Sequence, residues 1–392
     1  MTSTTTRPGG IDAELQAAQQ VAIDQSGWGQ PFRAFQPQNA AMWVGAFLLV
    51  AGVVSLFHFY TTQPHAYLPA VVGGAVVWAL YCVPWVLFLR RKERYGRRPV
   101  ELAVSGFAWG GLAATFALAI NANDAALSLW GKLVSPNFAA EWGAALSAPF
   151  TEESSKAAGF VLLIALAPRL IRSAYDGFVV GAFIGLGFQV FEDWVYTVRA
   201  PSADLGTHQL QSVIKTFVTR GVTTGLVSHA LFTALVCMGI VWLVGRPTEP
   251  RRPLVGLGFV LVAVVGHGAF DRAATVSDRE LLAIAFVLPL VAIVLGGRWA
   301  ARQERSWMHD LLAPEAAQGT LTDDELGALA GSARDRRTFV RTHKGRHKRA
   351  GARHLLSLGA DLAEAIVVSQ GRQTDAVESV RRELADARAT AG

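Results

Sequence analysis

Two adjacent carboxylates, Glu152 and Glu153, open an apolar stretch, and Lys156 follows one helical turn later. The run Phe150-Thr151-Glu152-Glu153-Ser154-Ser155-Lys156 leads into residues 157–167, which are apolar enough to enter a bilayer. A charged side chain at the centre of a bilayer costs roughly 2.5–3.5 kcal/mol on insertion scales. Three ionisable groups so close together therefore argue for a function rather than an accident. Glu192, His229, His267 and Asp271 lie in or at the ends of three further apolar segments. A buried carboxylate can take a proton from water, and an imidazole can hold that water, a developing oxyanion or a metal. The chemistry in view is acid–base work inside a membrane.

Helical spacing adds detail. Glu152 and Lys156 are four residues apart and share a face, with the acid N-terminal, the better order for an ion pair. Phe188 and Glu192 repeat that spacing, as do His267 and Asp271, where Asp271 could accept from an imidazole nitrogen and fix its tautomer. Pro149 suits the first turn of a helix, whose positive end would favour the acids that follow. Gly177, Gly181, Gly185 and Gly187 punctuate one segment, and small residues at four-residue spacing let helices approach closely in lipid.

The elements that must position these groups are membrane helices. Hydrophobic residues make up 52% of the chain, charged ones 17%, and mean hydropathy is +0.31, which excludes an ordinary soluble globule. Spans of about 20 apolar residues fit a hydrocarbon core roughly 30 Å thick. Eight are predicted: 40–60, 67–89, 100–121, 146–167, 174–197, 219–244, 254–273 and 280–299. The fold class is all-α, a polytopic membrane helical bundle of about eight transmembrane helices with a cytoplasmic helical C-terminal tail. Arg90, Arg91, Lys92, Arg94, Arg97, Arg98, Arg169, Arg172, Arg246, Arg251 and Arg252 fall in connections on one side. Only Lys132, Arg199, Lys215, Arg220, Arg272 and Arg279 fall on the other, so the first side is cytoplasmic and both termini lie there. In that frame the two acids, Glu192, both histidines and Asp271 all reach the midplane or outer half of the bilayer. His229 sits ~15 Å into its span at 1.5 Å per residue. Cys82 and Cys237 fall inside spans and suggest neither a disulfide nor a zinc knuckle.

The ordered motifs resemble the PrsW family of intramembrane proteases, part of the larger group that includes the CAAX prenyl endopeptidases. The residues that carry the resemblance are Glu152-Glu153-x-x-Lys156, then Gly185-Leu186-Gly187-Phe188-x-x-x-Glu192 with Tyr196 after it, then Ser228-His229-Ala230-Leu231-Phe232-Thr233-Ala234, then His267-x-x-x-Asp271. The resemblance covers 40–299. Asp193 departs from it, since many family members carry Asn after the second-motif Glu. The resemblance implies peptide-bond hydrolysis in or beside the cell membrane, with a membrane-anchored protein substrate, an anti-sigma factor in regulated proteolysis, cut on its outer side. Glu152 or Glu153 could then be the base, His229 or His267 could hold the water or the oxyanion, and Glu192 could orient the water or a metal. Lys156, Phe188 and Asp271 would support them. No His-Glu-x-x-His element occurs, so a conventional zincin site is absent. A divalent metal held by Glu152, Glu192 and a histidine is one form of the site, a glutamate base alone is another, and spacing leaves the roles of the histidines open.

Each residue taken singly has a blander reading: a rim carboxylate, or a histidine bonded to a neighbouring helix. Their joint occurrence at one depth favours function. Two alternatives remain: an ion-coupled membrane transporter, whose polar path would cross the bilayer, and a non-catalytic protein that binds membrane substrates. Residues 1–39 read as a polar flexible N-terminal arm, 40–299 as the transmembrane protease-like domain and 300–392 as a cytoplasmic basic helical tail. Residues 122–145 read as an outer loop, with Trp130 and Trp142 suited to an interfacial helix. Trp43, Trp78, Trp85, Trp194 and Trp242 read as interface or lipid contacts. In the tail, Thr322-x-x-Glu325 has the form of a capping box. Residues 334–353 hold nine Lys and Arg, which suit an anionic inner leaflet, and no nucleic-acid motif occurs. Residues 352–370 and 372–390 read as amphipathic helices, with Leu355, Leu356, Leu358, Leu362, Ile366 and Val367 on the apolar side, able to dock on each other or on a cytoplasmic partner.

Overall fold

The computed structural model describes residues 13–63, 67–93, 95–204, 206–225, 228–276 and 279–391. Arg94, noted in the sequence, lies outside them. Among the described residues all regular elements are helical, apart from one isolated bridge between Arg246 and Glu249. The helices are α1 (Ala13–Ser26), α2 (Ala40–Thr61), α3 (Leu68–Lys92), α4 (Val100–Ala108), α5 (Ile120–Leu133), α6 (Pro136–Phe138), α7 (Ala144–Leu166), α8 (Ala174–Arg199), α9 (Gln209–Thr216), α10 (His229–Val244), α11 (Pro253–Val276), α12 (Arg279–Ala317), α13 (Asp323–Ala330), α14 (Ala333–Thr342), α15 (Arg346–Val368) and α16 (Asp375–Ala391).

The chain divides into two compact units. One comprises 32–93 and 99–298; the other comprises the described residues of 13–31, 95–98 and 299–391. All eight predicted apolar segments hold helices, and among the described residues six helices are long and apolar enough to cross a membrane. The two that differ are α7, which carries Glu152, Glu153 and Lys156, and α10, which has only 16 residues. α2 exposes Phe47, Val50, Val54 and Phe57, and α3 exposes Val72, Val76, Leu80, Val83 and Leu87, each set at steps of three and four residues. Such apolar stripes would be a liability in water and are the lipid-facing surface of a membrane helix. α8 is the opposite case: 89% of its apolar window is buried, against 17% for α2, so the other helices pack around it. It begins with a capping box, Ser173 accepting from the Asp176 amide while Asp176 accepts from the Ser173 amide.

Four sequence expectations are corrected here. Residues 122–133 are no loop: α4 continues through π-helical turns (Trp109–Ala119) into α5, giving one helical path over Val100–Leu133. The hydropathy drop at Asn121, Asn123 and Asp124 hid this continuation, which the packing of α5 on α7 explains. The predicted span 219–244 is broken: π-helical turns end at Thr223, and α10 starts afresh at His229 behind Ser228. The break follows a run of Gly221, Val222, Thr223, Thr224 and Gly225, poor helix formers all. Pro149 lies inside α7 rather than in its first turn, because the helix already begins at Ala144. Trp78 and Trp242 are buried, not lipid-facing, with indole N–H groups donating to Thr197 Oγ1 and a Glu249 carboxylate oxygen.

In the second unit the described part of the N-terminal arm is ordered: α1 buries Ala22 and Ile23, and Trp28 meets Trp307 edge-on with ring centroids 6.1 Å apart. α13 opens with the capping box at Thr322 and Glu325, and α14 with a second at Ser332 and Asp335. The Ser332 amide holds the exposed Asp335 carboxyl below its ordinary pKa. α15 buries Leu355, Leu356, Leu358, Leu362, Ile366 and Val367, the apolar face read from the sequence, and packs on α16.

Candidate active site

One turn of α7 presents Glu152, Glu153 and Lys156 inward, all buried, with Lys156 wholly enclosed. The turn is pinned by Trp109, whose indole N–H donates to the Ser155 carbonyl at 3.0 Å. Lys156 Nζ lies 2.8 Å from Glu153 Oε1, 3.3 Å from Glu152 Oε2 and 2.9 Å from His229 Nδ1. An ammonium has three protons to donate, and here each has an acceptor. Its remaining side sits 3.7 Å from the centroid of the Phe188 ring, a favourable seat for a desolvated cation.

α8 and α10 deliver the next pair. Gly177, Gly181 and Gly185 lie against α10 as the spacing predicts; a Cβ on Gly185 would come within 2.2 Å of the His229 carbonyl oxygen. This close approach sets His229 beside Phe188 and Glu192. A lysine can only donate, so His229 Nδ1 accepts from Lys156 and the ring proton resides on Nε2, which donates to Glu192 Oε2 at 2.8 Å. Glu192 Oε2 also accepts from Arg220 at 2.8 Å, and Arg220 Nε donates to Asp193.

α11 supplies His267, stacked on Phe232 with centroids 5.1 Å apart and 5.0 Å from the His229 ring. Its Nε2 stands 3.6 Å from Glu152 Oε2 and 3.7 Å from Asp271 Oδ2. The hydrogen bond expected between His267 and Asp271 is therefore not made. Asp271 Oδ2 and His267 Nδ1 are buried without a hydrogen-bond partner among the described residues, although Glu153 Oε1 lies 3.2 Å from that nitrogen without the alignment of a hydrogen bond. Two orphaned atoms around one imidazole leave room for a cation or a water to complete the set.

The donor chemistry fits a divalent metal. Glu152, His229 and His267 each offer one ligand atom, all within 4.8 Å of one another, and two imidazoles with one carboxylate are a common catalytic ligand set. The His229 nitrogen nearest Glu152 is Nδ1, so a metal held there would take the place of the Lys156 proton on that nitrogen. The sequence grouped Glu192 with Glu152 and a histidine; Glu192 instead engages His229 and Arg220.

All eight singled-out side chains join this cluster, but they divide into two layers. Glu152, Glu192, His229 and Asp271 line a cavity of about 160 Å³, whereas Glu153, Lys156, Phe188 and His267 are not among its lining residues. The lining draws on the first half of α7, the last turns of α8, the first residue of α10 and the last turns of α11. The other half of the bundle is filled by Phe160, Leu163, Val180, Ile184, Leu235 and Met238, all buried. The cavity thus belongs to one end of the bundle, as a blind site does.

The residue model of PrsW family intramembrane metalloproteases matches residues 98–296, just over half of the chain. The chain belongs to the PrsW family. It is accordingly an intramembrane peptide-bond hydrolase of a metalloprotease family, embedded by several apolar helices. No curated protein and no solved structure matches it.

Sequence reasoning missed three residues of this PrsW site. Asn123 Nδ2 donates to Glu152 Oε1 at 2.9 Å, and Asn123 Oδ1 accepts from the Thr151 hydroxyl; Asn123 fell in the stretch read as a loop. Thr233 donates to Glu153 Oε2 at 3.0 Å, and its position four residues after His229 could have found it. Arg220 entered only as an orientation charge. Yet Arg220 answers the departure at Asp193, since the extra buried carboxylate meets a guanidinium that also holds Glu192. Arg220→Gln should therefore lower cleavage on the order of tenfold to a hundredfold, the usual reach of a group that orients a ligand or base. Adding Asp193→Asn should recover part of it, because the stranded carboxylate is gone while Glu192 still lacks its guanidinium partner. Rates for the two single variants and the double variant check this; simple additivity would show the pair to be uncoupled.

Proposed function

We propose that this PrsW-family protein hydrolyses a peptide bond of a membrane-anchored protein close to the extracytoplasmic face of the cell membrane, with an anti-sigma factor in regulated proteolysis as the substrate class. The observation that carries this reading is the meeting of Glu152, Glu192 and His229 on one wall of a blind cavity, with His267 directly behind. The basic connections argue that both termini are cytoplasmic, and the cavity end of the bundle, where α7 starts and α8 ends, is then extracytoplasmic. A transport path would need polar lining at the other end, where the buried residues named above are apolar.

Glu152, His229 and His267 are the residues that would hold the metal. Bound there, a divalent cation would polarise the scissile carbonyl and make its water acidic near neutral pH. Glu192 is the cavity-lining carboxylate left over, so it takes the proton of the attacking water and passes it to the leaving amine. Glu153, behind the wall, shares Lys156 with Glu152, and the ammonium keeps the charge of the pair partly neutralised. Asn123 holds the far oxygen of Glu152 and fixes the direction of its carboxylate. Residues 40–299 carry the chemistry, and 300–392 form a cytoplasmic tail that serves control or location.

The test is a proteomic comparison of membrane-protein fragments between cells carrying the wild type and cells carrying Glu152→Ala with Glu153→Ala. Fragments of an anchored protein cut at its extracytoplasmic side should appear only with the wild type. Identical fragment sets would end the proposal.

A further inference from the structure

Outside the family match, the second unit holds a groove of about 480 Å³ lined by Arg336, Arg337, Arg341, Arg349 and Arg353 over Val340 and Leu356. Arg337 and Arg341 share one face of α14, and Arg349 and Arg353 share one face of α15, each pair four residues apart. Arg336 donates to the Leu356 carbonyl and Arg349 to the His343 carbonyl, which tie the walls of the groove together. No acidic residue lines it. The one carboxylate nearby in sequence, Asp335, is engaged by the Ser332 amide as the cap of α14.

The same unit pairs its arginines elsewhere. Arg381 meets Glu315 and Glu378, Arg388 meets Glu325, and Arg98 meets Glu304. Arg337, Arg341, Arg349 and Arg353 have no carboxylate within ion-pair distance among the described residues. Holding four like charges around one concavity is unfavourable unless an anion completes it. The guanidinium fork matches the oxygens of a phosphate group, two contacts at a time.

We propose that this groove binds the phosphate groups of anionic membrane lipid, clamping the tail of the protein to the lipid surface. Two observations favour lipid over nucleic acid. The groove is lined by no aromatic side chain on which a base could stack, the usual means of seizing single strands. The chain is also tethered to a bilayer by its own spans, so lipid phosphate is always present at high effective concentration. Val340 and Leu356 give the floor an apolar patch suited to the glycerol and first methylenes of a lipid.

The full-length protein in nanodiscs provides the test, read as amide hydrogen exchange across residues 334–356. Discs of phosphatidylcholine mixed with phosphatidylglycerol should slow exchange there relative to discs of phosphatidylcholine alone, and the difference should shrink as salt rises. Arg337→Gln, Arg341→Gln, Arg349→Gln and Arg353→Gln made together should abolish the difference, since each basic residue near an anionic surface is worth about fivefold in affinity. All four side chains are exposed, so thermal unfolding of the variant should match the wild type; if it does not, the salt titration of the wild type decides. Equal exchange in the two discs would overturn the proposal. So would protection that appears in phosphatidylcholine discs on adding inorganic pyrophosphate but not with phosphatidylglycerol, which would make the ligand a soluble phosphate. Protection by duplex DNA without protection by anionic lipid would make it a nucleic-acid site and overturn it equally.

Discussion

Glu152→Gln is expected to lose both metal and turnover, while Glu192→Gln loses turnover and keeps the metal. The isostere at 152 preserves volume and can still accept from Asn123, but it removes the one carboxylate that stands 3.6 Å from a nitrogen of each histidine. A neutral amide is a poor ligand for a hard divalent ion beside two imidazoles. Glu192 is the other cavity-lining carboxylate in contact with His229 but lies outside the three-residue donor group. Its loss should therefore remove proton transfer alone, on the order of 10²–10⁴-fold in rate. Metal content of the two purified variants, set beside their cleavage rates in liposomes, separates the roles. If Glu152→Gln keeps both its metal and its activity, the assignment of that residue is wrong.

Lys156→Met should damage stability as well as activity. The ammonium is fully enclosed and is the counter-charge to two carboxylates that are themselves 3% exposed. Removing one partner of a buried ion pair typically costs about 3–5 kcal/mol, because the remaining charge stays desolvated. Here two charges are stranded. Lys156→Arg should not rescue, since Lys156 is fully enclosed and the larger guanidinium would have to push its neighbours aside. Adding Glu153→Gln to Lys156→Met should restore much of the lost stability, because the number of stranded carboxylates falls to one. Thermal unfolding of the detergent-purified single and double variants measures this. Wild-type unfolding for Lys156→Met would mean that Lys156 is not the counter-charge of the site.

Much of this arrangement was legible in the sequence, for a physical reason. Ionisable residues are so costly in hydrocarbon that those present stand out, and helical spacing fixes which of them share a face. Glu152, Lys156, Phe188 and Glu192 follow from that logic alone, and so does the glycine stripe that seats α8 on α10. The parts that were not legible depend on tertiary packing. Asn123 sits on a helix whose polar start resembles a loop, and only the packing of α5 on α7 brings it to Glu152. His229 was expected deep within a span, yet it begins a helix, because the chain unwinds over a run rich in glycine and β-branched residues. The division of the acids between cavity wall and second layer depends on side-chain direction, which spacing does not fix: Glu152 and Glu153 are adjacent in the chain and differ in their access to the cavity. Hydropathy likewise could not tell Trp78 and Trp242, which close the protein interior, from Trp43, which remains 58% exposed.

The central claim is that this cluster of carboxylates and histidines hydrolyses a peptide bond. It is tested most directly by following a membrane-spanning peptide cut by the purified protein in liposomes made up in water enriched in heavy oxygen. The account predicts one new carboxyl terminus that carries the heavy label, no product after removal of metal by a chelator, and recovery on adding a divalent metal back. A product without the label, or labelled cleavage that continues undiminished in Glu152→Gln, would contradict it.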